Sequence, residues 1–327
     1  MKSWKRVIGE CIRMLLLLVA VSIIAFLLII KSPIDPLVSY IGTNSTISEE
    51  AKQEIAEEWD LNSPPYQRFM TWGEHAIRGD LGTSITYKKP VMEIIKTRFS
   101  YSIVLMALSW LLSGIFGFIL GIISGMREGG IFDKVLKVFC LLMKSAPVFW
   151  VGLLILSIFA VQLGWFPIGM AVPVGKLSSE VTIWNKIHHL ILPVLTLTLV
   201  SISEVVLYTR QKVIEIMNSD FILYAKARGE NKHQLITRHI LRNVSLPAIT
   251  VQFASFNELF GGMALAETIF AYPGIGSETT IAAMNADVPL LLGIAVFSAI
   301  FVFVGNLIAN ILYGVFDPKI REVDNRE

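Results

Sequence analysis

Charge, cysteine and catalytic signatures are all scarce in this chain, and each scarcity excludes a class of protein. Charged residues fill 17% of the 327 positions while 54% are hydrophobic, against roughly 25% charged and 45–50% apolar in soluble domains. The length alone would suit two soluble domains, but this composition excludes them, and a disordered chain with them. Cys11 and Cys140 stand far apart in apolar surroundings, which argues against a disulfide scaffold or a thiolate metal site. A formal net charge of +2 is too small to point to nucleic acid. No GxSxG, HExxH or CxxC run occurs. The nearest approach to a phosphate-binding loop, Gly169 to Lys176, has one residue too many between its glycines and Leu177 where a hydroxyl is needed. His188 and His189, being adjacent, cannot both reach one ion from a helix, so packing at the interface is favoured and no metal site is expected.

The chain does have long apolar runs, and a helix needs about 20 such residues to cross a bilayer. The pattern predicts an all-α integral membrane protein with six transmembrane helices. Residues 14–30, extended by 11–13, make the first. Lys31-Ser-Pro-Ile follows, with no small-x-small site, so an uncleaved helix is expected rather than a signal peptide. Residues 101–126 make the second span and 135–162 the third, with Trp165 and Phe166 at its far interface. The fourth, 190–209, contains Glu204; the fifth, 244–271, contains Glu258 and Glu267. The sixth is 288–316, bracketed by Asp287 and Asp317. A mid-membrane charge costs about 2.5–3.5 kcal/mol on insertion scales, so such residues usually face a bundle interior or a water path. Glu204, Glu258 and Glu267 are therefore the candidate pathway residues, while Lys144 is expected to snorkel to the inner interface.

Orientation follows from lysine and arginine. With the N-terminus inside, 18 of the 28 basic residues fall on the inner segments. Outside the first loop, only Lys176 and Lys186 face outward, so both termini are placed in the cytosol. The expected organisation is an N-terminal transmembrane helix (1–30), an extracytoplasmic loop with short helices (31–98), a five-helix core (99–316) with an inner loop at 210–246, and a cytosolic tail (317–327).

Both long loops carry helical signals. In the outer one, 48–59 has Ser48 as N-cap and acids in its first turn, Pro64-Pro65 ends it, and 66–78 follows before the turn Gly79-Asp80-Leu81-Gly82. A folded outer cap and a solvated loop with helical turns both fit. The inner loop is patterned as two short helices joined at Gly229. In the second, Leu235, Ile236, Ile240 and Val244 share one face. The first is expected to expose Phe221, Tyr224 and Ala225. From pattern alone, docking into a partner groove and lying on the lipid surface stand level.

These residues also resemble a known family. Asp220-Phe-Ile-Leu-Tyr-Ala-Lys-Ala-Arg-Gly229, followed by Arg238-His-Ile-Leu-Arg242-Asn-Val-Ser-Leu-Pro247, is similar to the coupling signature of ABC importer permeases. Within them it resembles the B-type subunit of the oligopeptide/dipeptide/nickel branch. Gly79-Asp-Leu-Gly-Thr-Ser84, Ser145-Ala-Pro-Val-Phe-Trp-Val-Gly152, Leu163-Gly-Trp-Phe-Pro-Ile-Gly169, Glu267-Thr-Ile-Phe270 and Pro273-Gly-Ile-Gly276 extend the likeness along nearly the whole chain in order. Lys226-Ala-Arg228 swaps the usual basic residues and keeps the charge. The resemblance implies a type I importer subunit that is not itself an enzyme and binds no cofactor. ATP and magnesium would be used by two ATP-binding cassette partners. A second homologous permease, an extracytoplasmic substrate-binding protein and membrane lipid complete the implied partners, with cargo among peptides, nickel and metal–metallophore complexes. It further implies ATPase coupling through Phe221, Tyr224, Ala225, Lys226, Ala227, Arg228, Gly229, Arg238, Arg242 and Pro247. A proton-coupled secondary transporter using Glu204, Glu258 and Glu267 is the rival reading. An intramembrane enzyme would need a catalytic constellation, and none was found.

Overall fold

The computed structural model describes residues 2–31, 53 and 63–316. Among these residues the only β pairing is an isolated antiparallel bridge between Thr83 and Pro90. The rest of the regular structure is helical, one of the two ways a chain can satisfy its backbone in lipid. The helices are α1 (Lys2–Ile30), α2 (Pro65–Ile77), α3 (Val91–Met126), α4 (Ile131–Ser145), α5 (Val148–Ile155), α6 (Ile183–Met217), α7 (Asp220–Ala227), α8 (Leu241–Ala254), α9 (Phe256–Ile269), α10 (Ile275–Met284) and α11 (Val288–Phe316). A π-helical turn, Leu156–Gln162, extends α5, and another, Leu235–Ile240, leads into α8 after the short turn Lys232–Gln234. Of the expected helix over 48–59 only residue 53 is described, as helical, and the tail 317–327 lies outside the described residues. The expected helix over 66–78 is α2.

The chain divides into two compact units, Met1–Ser102 with Pro273–Val304, and Ile103–Tyr272 with Gly305–Glu327. In the first, Leu81, Val91, Ile95, Ile275, Leu290 and Ile294 form a common core. Gly293 permits its closest approach, since a Cβ there would lie 2.5 Å from Val91 Cγ1. Asp287 ties the 83–90 loop to the start of α11. Its Oδ2 accepts from Ser84 Oγ (2.5 Å) and Thr86 N (2.9 Å), and its Oδ1 from Leu290 N (3.2 Å). Arg98 Nε lies 2.7 Å from the buried Glu278 carboxylate. Burial and that carboxylate push the nearby Tyr87 phenol above its ordinary range. Phe26, Phe69 and Trp72 pack α1 against α2.

The second unit is built around α6. Of its apolar window 56% is buried, against 28% for α3, which makes α6 the central helix. Gly117, Gly121 and Gly125 of α3 recur at every fourth position against Val205, Thr209 and Val213. Added Cβ atoms would lie 2.8, 2.6 and 2.6 Å from the Cβ atoms of those three residues. Small residues let helix backbones approach where no hydrophobic effect drives them together. Another face of α3 leaves Val104, Leu108, Leu111, Ile115 and Ile119 exposed, the outward apolar surface expected of a helix solvated by lipid. Trp110 Nε1 donates to the Gln252 carbonyl at 3.0 Å, and Gln252 Nε2 to the Trp110 carbonyl at 2.6 Å, which clamps α3 to α8.

Two expected spans are not continuous. The third is broken: α4 and the α5 segment meet at 111°. Ala146 is extended (φ −82, ψ 129) ahead of Pro147, because a proline ring drives the preceding residue out of the helical region and supplies no N–H. The fifth is split at Ser255 into α8 and α9, 14 residues each, each too short to cross a bilayer alone. Ser255 Oγ donates back to the Gln252 carbonyl at 2.9 Å, a local bond that competes with the helix ladder. Among the described residues three helices are long and apolar enough to cross a membrane, Val91–Met126, Ile183–Met217 and Val288–Ile308. The bent pair counts as a fourth, and the apolar part of α1 is the shorter Ile12–Leu28. The chain is thus a helical membrane protein, with the third and fifth of the six expected spans interrupted by these breaks.

Candidate functional site

The inner loop folds into α7 and a second helical stretch that runs on into α8. α7 ends in a Schellman arrangement: Glu230 N donates to Ala225 O (3.2 Å) and Gly229 N to Lys226 O (2.9 Å). Gly229 sits at φ +86 with nothing within 4 Å of a built Cβ, so backbone conformation rather than space selects glycine. The next turn starts on a reciprocal cap, with Gln234 N donating to Asn231 Oδ1 (2.9 Å) and Asn231 N to Gln234 Oε1 (2.8 Å). Glu230 closes the corner, its Oε2 lying 3.0 Å from His239 Nε2 and its Oε1 3.8 Å from Arg238 Nη1.

Packing sorts the expected coupling residues. Ile222, Ala225 and Leu235 are buried together, which seats α7 on the following helix. Ala225 is therefore not part of the exposed face, contrary to expectation; it is 3% exposed because Leu235 covers it. Phe221, Leu223 and Tyr224 are 47%, 68% and 66% exposed. Leu223 was not singled out in the sequence, although it is apolar in a short helix placed among basic residues. Lys226, Ala227, Arg228, Arg238 and Arg242 are exposed, and the Arg228 guanidinium lies 5.9 Å from the Tyr224 ring centroid. Pro247 lies inside α8. Ile122 of α3, Val213 of α6 and Ile240 and Val244 of the second helix share one core, so that helix is fastened to the inner ends of two spans.

A second cluster escaped the sequence reading. Asp133, 2% exposed, accepts from Ser124 Oγ (2.5 Å), Gly129 N (2.9 Å), Arg210 Nε (2.5 Å) and Arg210 Nη2 (2.8 Å). It joins the ends of α3, α4 and α6 by a two-pronged ion pair. In the sequence Asp133 is one of two acids, with Glu128, in an otherwise basic inner segment, and nothing there marks Arg210 as its partner.

The pathway acids are only partly brought together. A cavity of about 330 Å³ lies where both broken helices meet α6, and Glu204 and Glu258 line it with Lys144, Pro147, Ser203 and Ser255. Lys144 Nζ is 3.9 Å from Glu204 Oε1, so its ammonium turns towards a carboxylate in addition to any reach for the interface. Glu267 does not line this cavity and is fully buried. His188 and His189 are packing residues: Nε2 of the first lies 2.9 Å from the Trp165 carbonyl and Nδ1 of the second 2.8 Å from the Gly169 carbonyl.

Residues 117–322 match the family described as binding-protein-dependent transport system inner membrane component. The chain is 33% identical over 305 residues to the oligopeptide transport system permease protein AppB of Bacillus subtilis, covering 93% of this chain and 95% of that one. It is 28% identical over 316 residues to the di/tripeptide transport system permease protein DppB of Pseudomonas aeruginosa (92% and 94%). The dipeptide transport system permease protein DppB of Escherichia coli K12 is 27% identical over 321 residues (93% and 94%). A domain match across the α3–α11 core and a 33% identical relative aligned over nearly all of both chains establish that this protein belongs to the binding-protein-dependent transport system inner membrane components.

Proposed function

We propose that this chain is one of two homologous permease subunits of an ATP-driven importer of short peptides and supplies half of its pore. The relatives described above are named for oligopeptides, di/tripeptides and dipeptides, which favours peptides over nickel or metal–metallophore cargo. In this reading α1, α3, α4 with α5, α6, α8 with α9, and α11 make six crossings, both termini are cytosolic, and 31–98 lies outside with the binding protein. ATP and magnesium belong to two cytosolic ATPases, and this chain performs no covalent chemistry. The observation that carries the reading is the exposed Phe221, Leu223 and Tyr224 face of α7 in a member of this family, outside the apolar spans. Of the two uses of such a face, the family favours docking into an ATPase groove over lying on lipid.

The test is reconstitution with the second permease, both ATPases and the binding protein. Labelled di- and tripeptides should be taken up with ATP, and labelled nickel should not. Gly229→Glu should abolish uptake, since it strains the φ +86 turn and adds a carboxylate to the docking corner. Normal uptake with normal ATPase coupling in that variant would sink the assignment. A secondary transporter would instead take up cargo under a pH gradient without the ATPases. Glu267, away from the cavity of Glu204 and Glu258, makes a three-acid relay the weaker reading.

A further inference from the structure

We propose that the cavity between α4, α6 and α9 is a cation-selective station that receives a protonated amine of the cargo. The inference deepens the import reading and rests on it for the identity of the cargo. Three observations carry it. First, the cavity holds two carboxylates, Glu204 and Glu258, against one ammonium, Lys144. The Lys144–Glu204 separation of 3.9 Å is beyond hydrogen-bond reach. Glu258 has no ion-pair or hydrogen-bond partner among the described residues. One negative charge is left over on the wall of this open cavity, where Glu258 is exposed and the Glu204 side chain is 38% exposed, so a cation that enters can pair with it. Second, Ser203 lines the same cavity and is 1% exposed; its hydroxyl lies beside the Cys140 thiol and makes no full hydrogen bond. A hydroxyl left short of a full hydrogen bond in a cavity wall is a polar group that a ligand N–H can satisfy once the wall shifts to admit it. Third, the walls include the Ala146–Pro147 break and Ser255 at the α8–α9 break, and interrupted helices are tolerated at membrane depth where they border a cavity.

Size narrows the ligand. About 330 Å³ lies at the low end of small-molecule pockets. It suits an ammonium group with a small side chain, so the station reads one charged end of a peptide rather than the whole of it. In transit the α-ammonium pairs with Glu204 and Glu258, while Lys144 excludes a second cation.

The experiment uses the assembled transporter carrying Cys11→Ser and Cys140→Ala. Ser201→Cys is introduced as a reporter, because Ser201 lines the cavity without carrying charge. Two thiol reagents of similar size are compared, an aminoethyl (cationic) and a sulfonatoethyl (anionic) methanethiosulfonate. The cationic reagent should react about tenfold faster, the lower range of charge steering into a cleft, and Glu258→Gln should remove the preference. Equal rates, a faster anionic reagent, or no reaction with either would overturn the proposal; the last would mean that the second permease fills the space. In uptake assays, Glu204→Gln and Glu258→Gln should slow a free-amine tripeptide severalfold and leave its N-acetyl form unchanged. Equal loss for both peptides, or loss of the second permease on purification, would overturn the station. Failure of the unaltered transporter to take up any peptide would instead overturn the cargo assignment, and reagent selectivity would still decide the cavity.

Discussion

Arg210 and Asp133 carry opposite charges away from water, their side chains 15% and 3% exposed. Such a pair gains little over an apolar one, but removing a single partner strands a buried charge at a cost of about 3–5 kcal/mol. Arg210→Ala should therefore lower the thermal midpoint and the purified yield of the chain sharply. The double variant Asp133→Asn with Arg210→Gln should recover part of that loss, so a cycle of the four proteins measures the coupling. Additive losses would show that the two residues act separately. Nothing in the linear pattern pairs positions 77 residues apart, so this cluster was illegible in the sequence. Gly229 was legible, because a short helix followed by glycine predicts the left-handed residue found at φ +86. Ala225 was misjudged: counting apolar residues in α7 identifies a sticky helix but not which face the next helix covers.

Among the helices, the α3–α6 contact depends on three glycines at a four-residue repeat. Gly121→Val should force these helices apart, because a Cβ at 2.6 Å from Thr209 Cβ has no room, and little folded protein should be recovered from the membrane. Gly261→Ala is the control. Nothing lies within 4 Å of a built Cβ there, and losing a helical glycine should stabilise α9 by roughly 0.5–1 kcal/mol, read as an unchanged or higher thermal midpoint. The positions of the spans were readable from hydropathy, but their continuity was not. Pro147 could have been read as a breaker, since X-Pro disfavours helix at X. The Ser255 break has no such marker; the Ser255 hydroxyl bonds back to the Gln252 carbonyl there.

For the complete chain, sidedness is the expectation most open to measurement. In cells carrying a cysteine-free version, Lys232→Cys should react with an impermeant thiol reagent only after the membrane is opened. Lys176→Cys should react from outside in intact cells. The reverse result would invert the topology read from the basic residues. The seating of α7 also has a mechanical consequence. The stretch from Lys232 to Ala254 runs without a chain break from the Gly229 corner to Ser255 at the cavity wall, a rod of roughly 35 Å at 1.5 Å per residue. Tilting such a rod by roughly 10° sweeps its far end through roughly 6 Å, more than the interval between successive residues along a strand. Because Ile222 and Ala225 are locked against Leu235, α7 has little slack in which to absorb a push. On the import reading proposed above, the Ser255 break would be the elbow at which a stroke delivered to α7 by an ATPase becomes a change in the width of the acidic chamber.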